Sequence, residues 1–109
     1  MTITNQQYML LTAIAANPGL HALGVYERLA AEMKKSPLRG FFRASMASAY
    51  GGIHQLVDKR LVKFEPRTVN GKERKVFFIS DDGRKALEVL HREFDRKAAL
   101  VGIASLAGP

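Results

Sequence analysis

The side chains with the most distinctive chemistry are cations, and they are confined to one stretch. Residues 36–80 carry Arg39, Arg43, Lys59, Arg60, Lys63, Arg67, Lys72, Arg74 and Lys75 against Asp58, Glu65 and Glu73. Residues 1–35 and 81–109 are close to balance, so nearly all of the net charge of +7 sits in the middle. A positive field held to one segment attracts phosphate-bearing polymers; charge alone fits a solvated basic surface equally well. Ser45, Ser48, His54 and Gln55, which can hydrogen-bond phosphates or base edges, fall in the same stretch.

Other chemistries find little support. There is no cysteine, which removes disulfides, thiolate metal sites and cysteine nucleophiles together. His21, His54 and His91 are far apart without ligand spacing, so no metal is expected. Gly51-Gly52 lacks the flanking spacing and the Lys-Ser/Thr of a phosphate-binding loop, and no Gly-x-Ser-x-Gly elbow is present. Neither an enzyme nor a cofactor is expected. The first residues lack the basic and apolar regions of a signal peptide, and no apolar run approaches the roughly 18 residues of a membrane span. One cytoplasmic domain of 109 residues, 47% hydrophobic, is the expectation.

Elements must hold these side chains. Thr4 and Gln7 have capping-box spacing, and Ile3 with Tyr8 has staple spacing. A first helix therefore starts here, buries Leu10, Leu11, Ile14 and Ala15, and stops at Asn17-Pro18-Gly19. A second helix is read over about residues 21–35, with Leu23, Tyr26, Leu29, Ala30 and Met33 on its apolar side. Ser36-Pro37 ends it, and residues 38–44 read as a connection with Phe41 or Phe42 tucked inward. Ser45 caps a third helix reaching about Arg60, striped by Met46, Ala49, Tyr50, Ile53, Leu56 and Val57. Ser48, Gly51, Gly52, Gln55, Asp58 and Lys59 fall away from that stripe, with His54 at its border. Each glycine weakens the helix by roughly 1 kcal/mol relative to alanine, so close approach to another backbone is one compensation to look for.

Residues 61–65 and 75–79 have strand character, and Asn70-Gly71 between them favours a tight turn within a connection longer than two residues. The hairpin tip then bears Arg67, Asn70, Lys72 and Arg74. Ser80 caps a last helix, with Asp81 and Asp82 in its first turn and a stripe of Leu87, Leu90, Phe94, Ala98 and Val101. The expected fold is α+β and mostly α: a winged helix-turn-helix over residues 1–80, then a C-terminal dimerisation helix and tail over 81–109. Three helices and a hairpin in this order place the third helix in the major groove of duplex DNA. Ser45, Ser48, Gly51, His54 and Gln55 would then lie at the bases, and Arg43 and Lys59 on phosphates. Arg67, Lys72 and Arg74 would follow a neighbouring backbone or enter the minor groove. Tyr50 belongs to the apolar stripe, with its hydroxyl at the DNA boundary.

The run Ser45-Met-Ala-Ser-Ala-Tyr50-Gly-Gly-Ile-His-Gln-Leu56-Val-Asp-Lys-Arg-Leu61-Val62 resembles the recognition helix of PadR-like regulators. It shares their capping Ser, a Tyr five residues on, and Leu-type anchors. Arg74-Lys-Val-Phe-Phe-Ile-Ser80-Asp-Asp-Gly83-Arg84-Lys-Ala-Leu87 is similar to that family's aromatic strand, Thr-Glu-Glu-Gly and Ala-Leu helix. The likeness covers about residues 8–90, and MarR-type domains share much of it. Arg60 stands where the family usually has Gly, and Gly51-Gly52 replaces bulkier residues.

The resemblance implies a homodimeric transcriptional regulator, usually a repressor, whose last helix forms much of the dimer interface. It also implies that a small aromatic effector could bind between the DNA-binding body and that helix. A different reading keeps the fold as a protein-interaction module of a larger assembly, favoured by the short outward residues of the third helix.

Overall fold

Capping chemistry sets the helix boundaries in the computed structural model, which describes residues 3–35 and 45–100. Thr4 Oγ1 accepts from the Gln7 N–H at 3.1 Å and Gln7 Oε1 accepts from the Thr4 N–H at 3.2 Å. This reciprocal box opens α1 (Asn5–Ala16), which buries Leu10, Leu11, Ala13 and Ile14. Gly19, at φ +87°, turns the chain after α1 in a conformation that costs glycine nothing.

Two features here correct the sequence reading. Leu20–His21 forms a short strand, β1, rather than the start of a helix. The second helix, α2 (Ala22–Lys35), follows it, and His21 Nδ1 accepts from the Gly24 N–H in its first turn at 3.0 Å. Its buried face is also rotated: Val25 and Leu29 are buried, whereas Leu23 is exposed. Antiparallel pairing of Leu20 with Phe77 and His21 with Val76 is what phases the helix this way.

Ser45 caps α3 (Met46–Asp58) by accepting from the Ser48 N–H at 3.1 Å. At the other end the Leu61 N–H donates to Leu56 O at 3.0 Å and the Arg60 N–H to Val57 O at 2.9 Å. That is a Schellman motif, with buried Leu56 and Leu61 as its apolar pair. Its left-handed residue is Arg60, at φ +62°, in the place where a glycine is usual. Arg60→Gly is therefore expected to raise stability, by up to about 1 kcal/mol, because the left-handed strain exceeds the entropy that glycine loses on folding. Thermal unfolding of the two proteins checks this; a lower melting temperature for the variant contradicts it.

The hairpin consists of β2 (Val62–Val69) and β3 (Lys72–Ile79). Both strands are longer than the sequence reading made them, and the connection is the two residues Asn70 and Gly71 alone. Both have positive φ, 52° and 78°, which is the signature of a type I′ turn and matches strand twist. Pro66 is tolerated because β2 is an edge strand in the order β1-β3-β2.

The last helix, α4 (Asp81–Leu100), starts from a knot at the base of the hairpin. Ser80 Oγ accepts from the Gly83 N–H at 2.9 Å and donates to Arg60 O at 2.7 Å. The Ser80 N–H donates to Leu61 O at 3.0 Å, so one serine ties the end of α3 to the start of α4. Ala86 is buried and Leu87 packs against the domain's own core. Farther along, Tyr8 meets the His91 ring edge-on at 5.5 Å. Burial, with a smaller contribution from the Asp95 carboxylate, raises the Tyr8 hydroxyl above its ordinary pKa. Phe94 and Ala98 lie on α4, but their side chains, like Met33, Arg43, Val101 and the 38–44 connection, lie outside what is described.

The core is a single cluster in which Leu10, Leu11 and Ile14 of α1 meet Val25, Ile53, Leu56 and Phe77. Gly52 is buried beside it, which corrects its expected outward position. A Cβ there would stand 2.6 Å from Leu10 Cδ1, so the close approach that accounts for this glycine is to a side chain.

Candidate nucleic-acid interface

Apart from Tyr50, the outward face of α3 is small along its first half. Ser45, Ala47, Ser48 and Gly51 are exposed, and a Cβ on Gly51 would meet nothing. A helix with so little side-chain bulk can bring its backbone close to a groove floor. Gln55 and Lys59 follow, also exposed.

Most of these polar groups are already tied to α1. The Gln6 amide nitrogen donates to Ser48 Oγ at 3.0 Å. Gln7, 4% exposed and the one buried polar residue among those described, is a junction. Its oxygen accepts from Lys59 Nζ at 3.0 Å as well as from Thr4, and its amide nitrogen donates to Gln55 Oε1. The capping-box spacing pointed to Gln7 as a helix-starting residue, but nothing local showed that it also holds α3.

Tyr50 and His54 depart from their expected places. Tyr50, assigned to the apolar stripe, is 45% exposed. His54, assigned to base reading, turns inward: its ring lies 4.4 Å from Tyr50 and meets buried Phe77 edge-on at 6.3 Å. Its Nε2 is buried with no hydrogen-bond partner among the described residues. Gly52 is the residue against α1; Tyr50 and His54, four residues apart, share another face, with His54 packed on Phe77 and Tyr50 stacked outside it. Phe64 of β2, 42% exposed, continues the aromatic line at 6.4 Å from Phe77, and Lys75 Nζ sits 4.6 Å over its ring.

Register divides the wing into two unlike faces. Residues paired across the ladder share a face, and faces alternate along each strand. Val62, Phe64, Pro66 and Thr68 therefore lie with Glu73, Lys75, Phe77 and Ile79, on the side toward the core. The opposite face carries Lys63, Arg67, Lys72 and Arg74 with the single carboxylate of Glu65. Arg67 stands directly across from Arg74, pairs with Glu65 at 3.0 Å and covers the Phe78 ring at 5.7 Å. Like charges opposite one another cost stability in a hairpin, so this concentration is better explained by an external anion than by folding.

The described residues hold no group of His, Asp and Glu suited to a metal ion, and no helix among them is long and apolar enough to cross a membrane. What they build, in order, is three helices, a two-stranded wing and a helix launched from its base. That is a winged helix-turn-helix. Residues 10–89 match the model of the PadR-like family of transcriptional regulators, and the chain belongs to that family, whose members are regulators rather than enzymes.

Solved structures agree on the fold. A PadR family transcription regulator from Clostridium difficile superposes with a TM-score of 0.72 at 14% identity, over 94% of this chain and 99% of that one. The Streptomyces coelicolor transcriptional regulator PcaV, solved with its natural ligand, gives 0.72 at 20% identity over 94% of this chain and 62% of its own. Bacillus subtilis PadR in complex with operator DNA gives 0.62 at 20% identity, over 77% of this chain and 45% of its own. No curated protein matches the sequence at a significant level.

Proposed function

We propose that this regulator binds duplex DNA in a sequence-specific way as a homodimer and acts as a repressor. The observation that carries the reading is the wing face of Lys63, Arg67, Lys72 and Arg74 beside an α3 whose outward residues in its leading half are small apart from Tyr50. Cations that face no carboxylate but Glu65 suit phosphates, and a small helix surface suits the major groove. Ser45, Ser48, Gly51 and Gln55 would meet the groove, with Tyr50 at its wall. Arg43, Lys59, Arg67, Lys72 and Arg74 would hold the backbone. His54, turned inward, supports α3 from beneath. That Bacillus subtilis PadR was solved on operator DNA supports this use of the fold.

The second copy would pair along α4. Val89 stands 45% exposed there, beside an open groove of about 620 Å³ that Ile3, Leu61, Ala86 and Leu90 line. Leu90, Phe94, Ala98 and Val101 would extend that contact, with Leu87 contributing from its place against the core. Room for an effector lies elsewhere than the seam with α4 that the resemblance implies: a cavity of about 450 Å³ between α1 and α2, lined by Tyr8, Met9, Ala13 and Leu29 with Arg28 at hand.

Selection from a random duplex library tests the reading. The expected product is an inverted repeat with half-sites roughly 34–36 Å apart, one helical turn. A pool without any motif contradicts it and favours the protein-interaction role instead.

A further inference from the structure

We propose that Gln7 fixes which end of the Gln55 amide faces DNA, making Gln55 a reader of hydrogen-bond acceptors; this rests on the DNA-binding function proposed above. Gln7 lies on α1 and, at 4% exposed, does not itself reach the groove, so its role is to position another residue. Its side-chain amide is oriented by what the oxygen accepts. That oxygen receives the Thr4 N–H at 3.2 Å and the Lys59 ammonium at 3.0 Å. A peptide N–H and an ammonium can only donate, so the atom between them has to be the carbonyl oxygen. The Gln7 amide nitrogen is thereby turned toward α3, where it donates to Gln55 Oε1.

Gln55 has a single side-chain oxygen, and Gln7 engages it. The end left exposed is its NH2 group. A glutamine free to rotate offers a donor and an acceptor side by side, the pair that matches N6 and N7 of adenine. Held as it is, Gln55 matches edges that present acceptors with no donor beside them, which in the major groove are guanine N7 and O6 or thymine O4; adenine N7 also accepts, but its neighbour N6 is a donor that faces the Gln55 NH2 unfavourably.

Glutamate separates this role from helix capping. At position 7 a carboxylate completes the capping box as well as glutamine does and still accepts from Lys59. It has no donor, so the Gln55 amide must turn over, give its NH2 to Glu and present its oxygen outward. Edges carrying donors, cytosine N4 or adenine N6, then fit better.

The experiment is library selection with the full chain, for the wild type, Gln7→Glu, Gln7→Met and Gln55→Ala. The wild type is expected to prefer guanine or thymine at one symmetric position of each half-site, by about tenfold. Gln55→Ala should erase that preference and leave the other positions alone. Gln7→Glu should move it to cytosine or adenine, and Gln7→Met, which releases the amide, should broaden it to include adenine. A merely structural Gln7 would weaken binding at every position while keeping the wild-type preference, and that result overturns the proposal. A motif unaffected by all three variants also overturns it while leaving DNA binding standing. A wild type that selects no motif defeats the DNA-binding reading itself.

Discussion

Gly83→Ala is expected to destabilise the domain by about 3 kcal/mol, a large fraction of the roughly 5–15 kcal/mol typical of a small protein. A Cβ at this position would stand 2.1 Å from the Leu61 carbonyl oxygen and 2.7 Å from Ile79 Cγ1. The first obstacle is backbone, held by the Ser80 N–H and by the Schellman turn, so it cannot yield as a side-chain tip can. Alanine's helix propensity, worth about 1 kcal/mol over glycine, works in the other direction and is outweighed. Gly51→Ala isolates that term. Its Cβ meets nothing, so the same substitution there should stabilise by up to about 1 kcal/mol. Denaturant unfolding of both variants checks the pair. Equal effects would mean that α4 does not seat on Leu61 as described.

Lys72→Glu combined with Arg74→Glu should lower affinity for duplex DNA by about a hundredfold or more at 0.1 M salt, since a dimer loses four phosphate contacts. Stability should hold or rise slightly. Both residues are exposed on the cationic wing face, and neither forms an ion pair with a described residue. Arg74 faces Arg67 across the ladder, so a glutamate there turns a repulsive pair into an attractive one worth about 0.2–1 kcal/mol. A binding loss in a protein that melts no earlier than wild type can then be assigned to the interface. If the variant instead melts much lower, the wing cations have a structural role that their exposure does not reveal.

Much of this fold was legible because it is written in local chemistry. Thr4 with Gln7, Ser45 and Ser80 each satisfy helix N–H groups a few residues away, and Asn70-Gly71 supplies two positive φ angles in a row. The failures are tertiary. Leu20–His21 has no strand signal of its own and exists because β3 offers it a ladder. The strands were read too short because their outer halves are polar on both faces, as a wing in solvent must be, and so lack the alternation that a half-buried strand shows.

The candidate site divides in the same way. Charge on the wing was visible by composition, and register then sorted its cations, Lys75 excepted, onto one face. The faces of α3 were misjudged for Tyr50 and Gly52, because apolar periodicity treats a tyrosine as core and a glycine as neutral. Here the need to fit Leu10 against α3 selects the glycine. The link from Gln7 to Gln55 and Lys59 spans about half the chain, and no spacing rule reaches that far.

Titrating one duplex with wild-type protein and with the Lys72→Glu, Arg74→Glu variant across a salt series counts the phosphate contacts that the wing makes. Wild-type protein is expected to bind tightly at about 50 mM salt, with log K falling linearly against log salt by about 0.9 per phosphate contact. The variant's line should be shallower by roughly three to four units of slope for a dimer. Two lines of equal slope, or wild-type binding that does not respond to salt, would contradict a cationic wing seated on the DNA backbone.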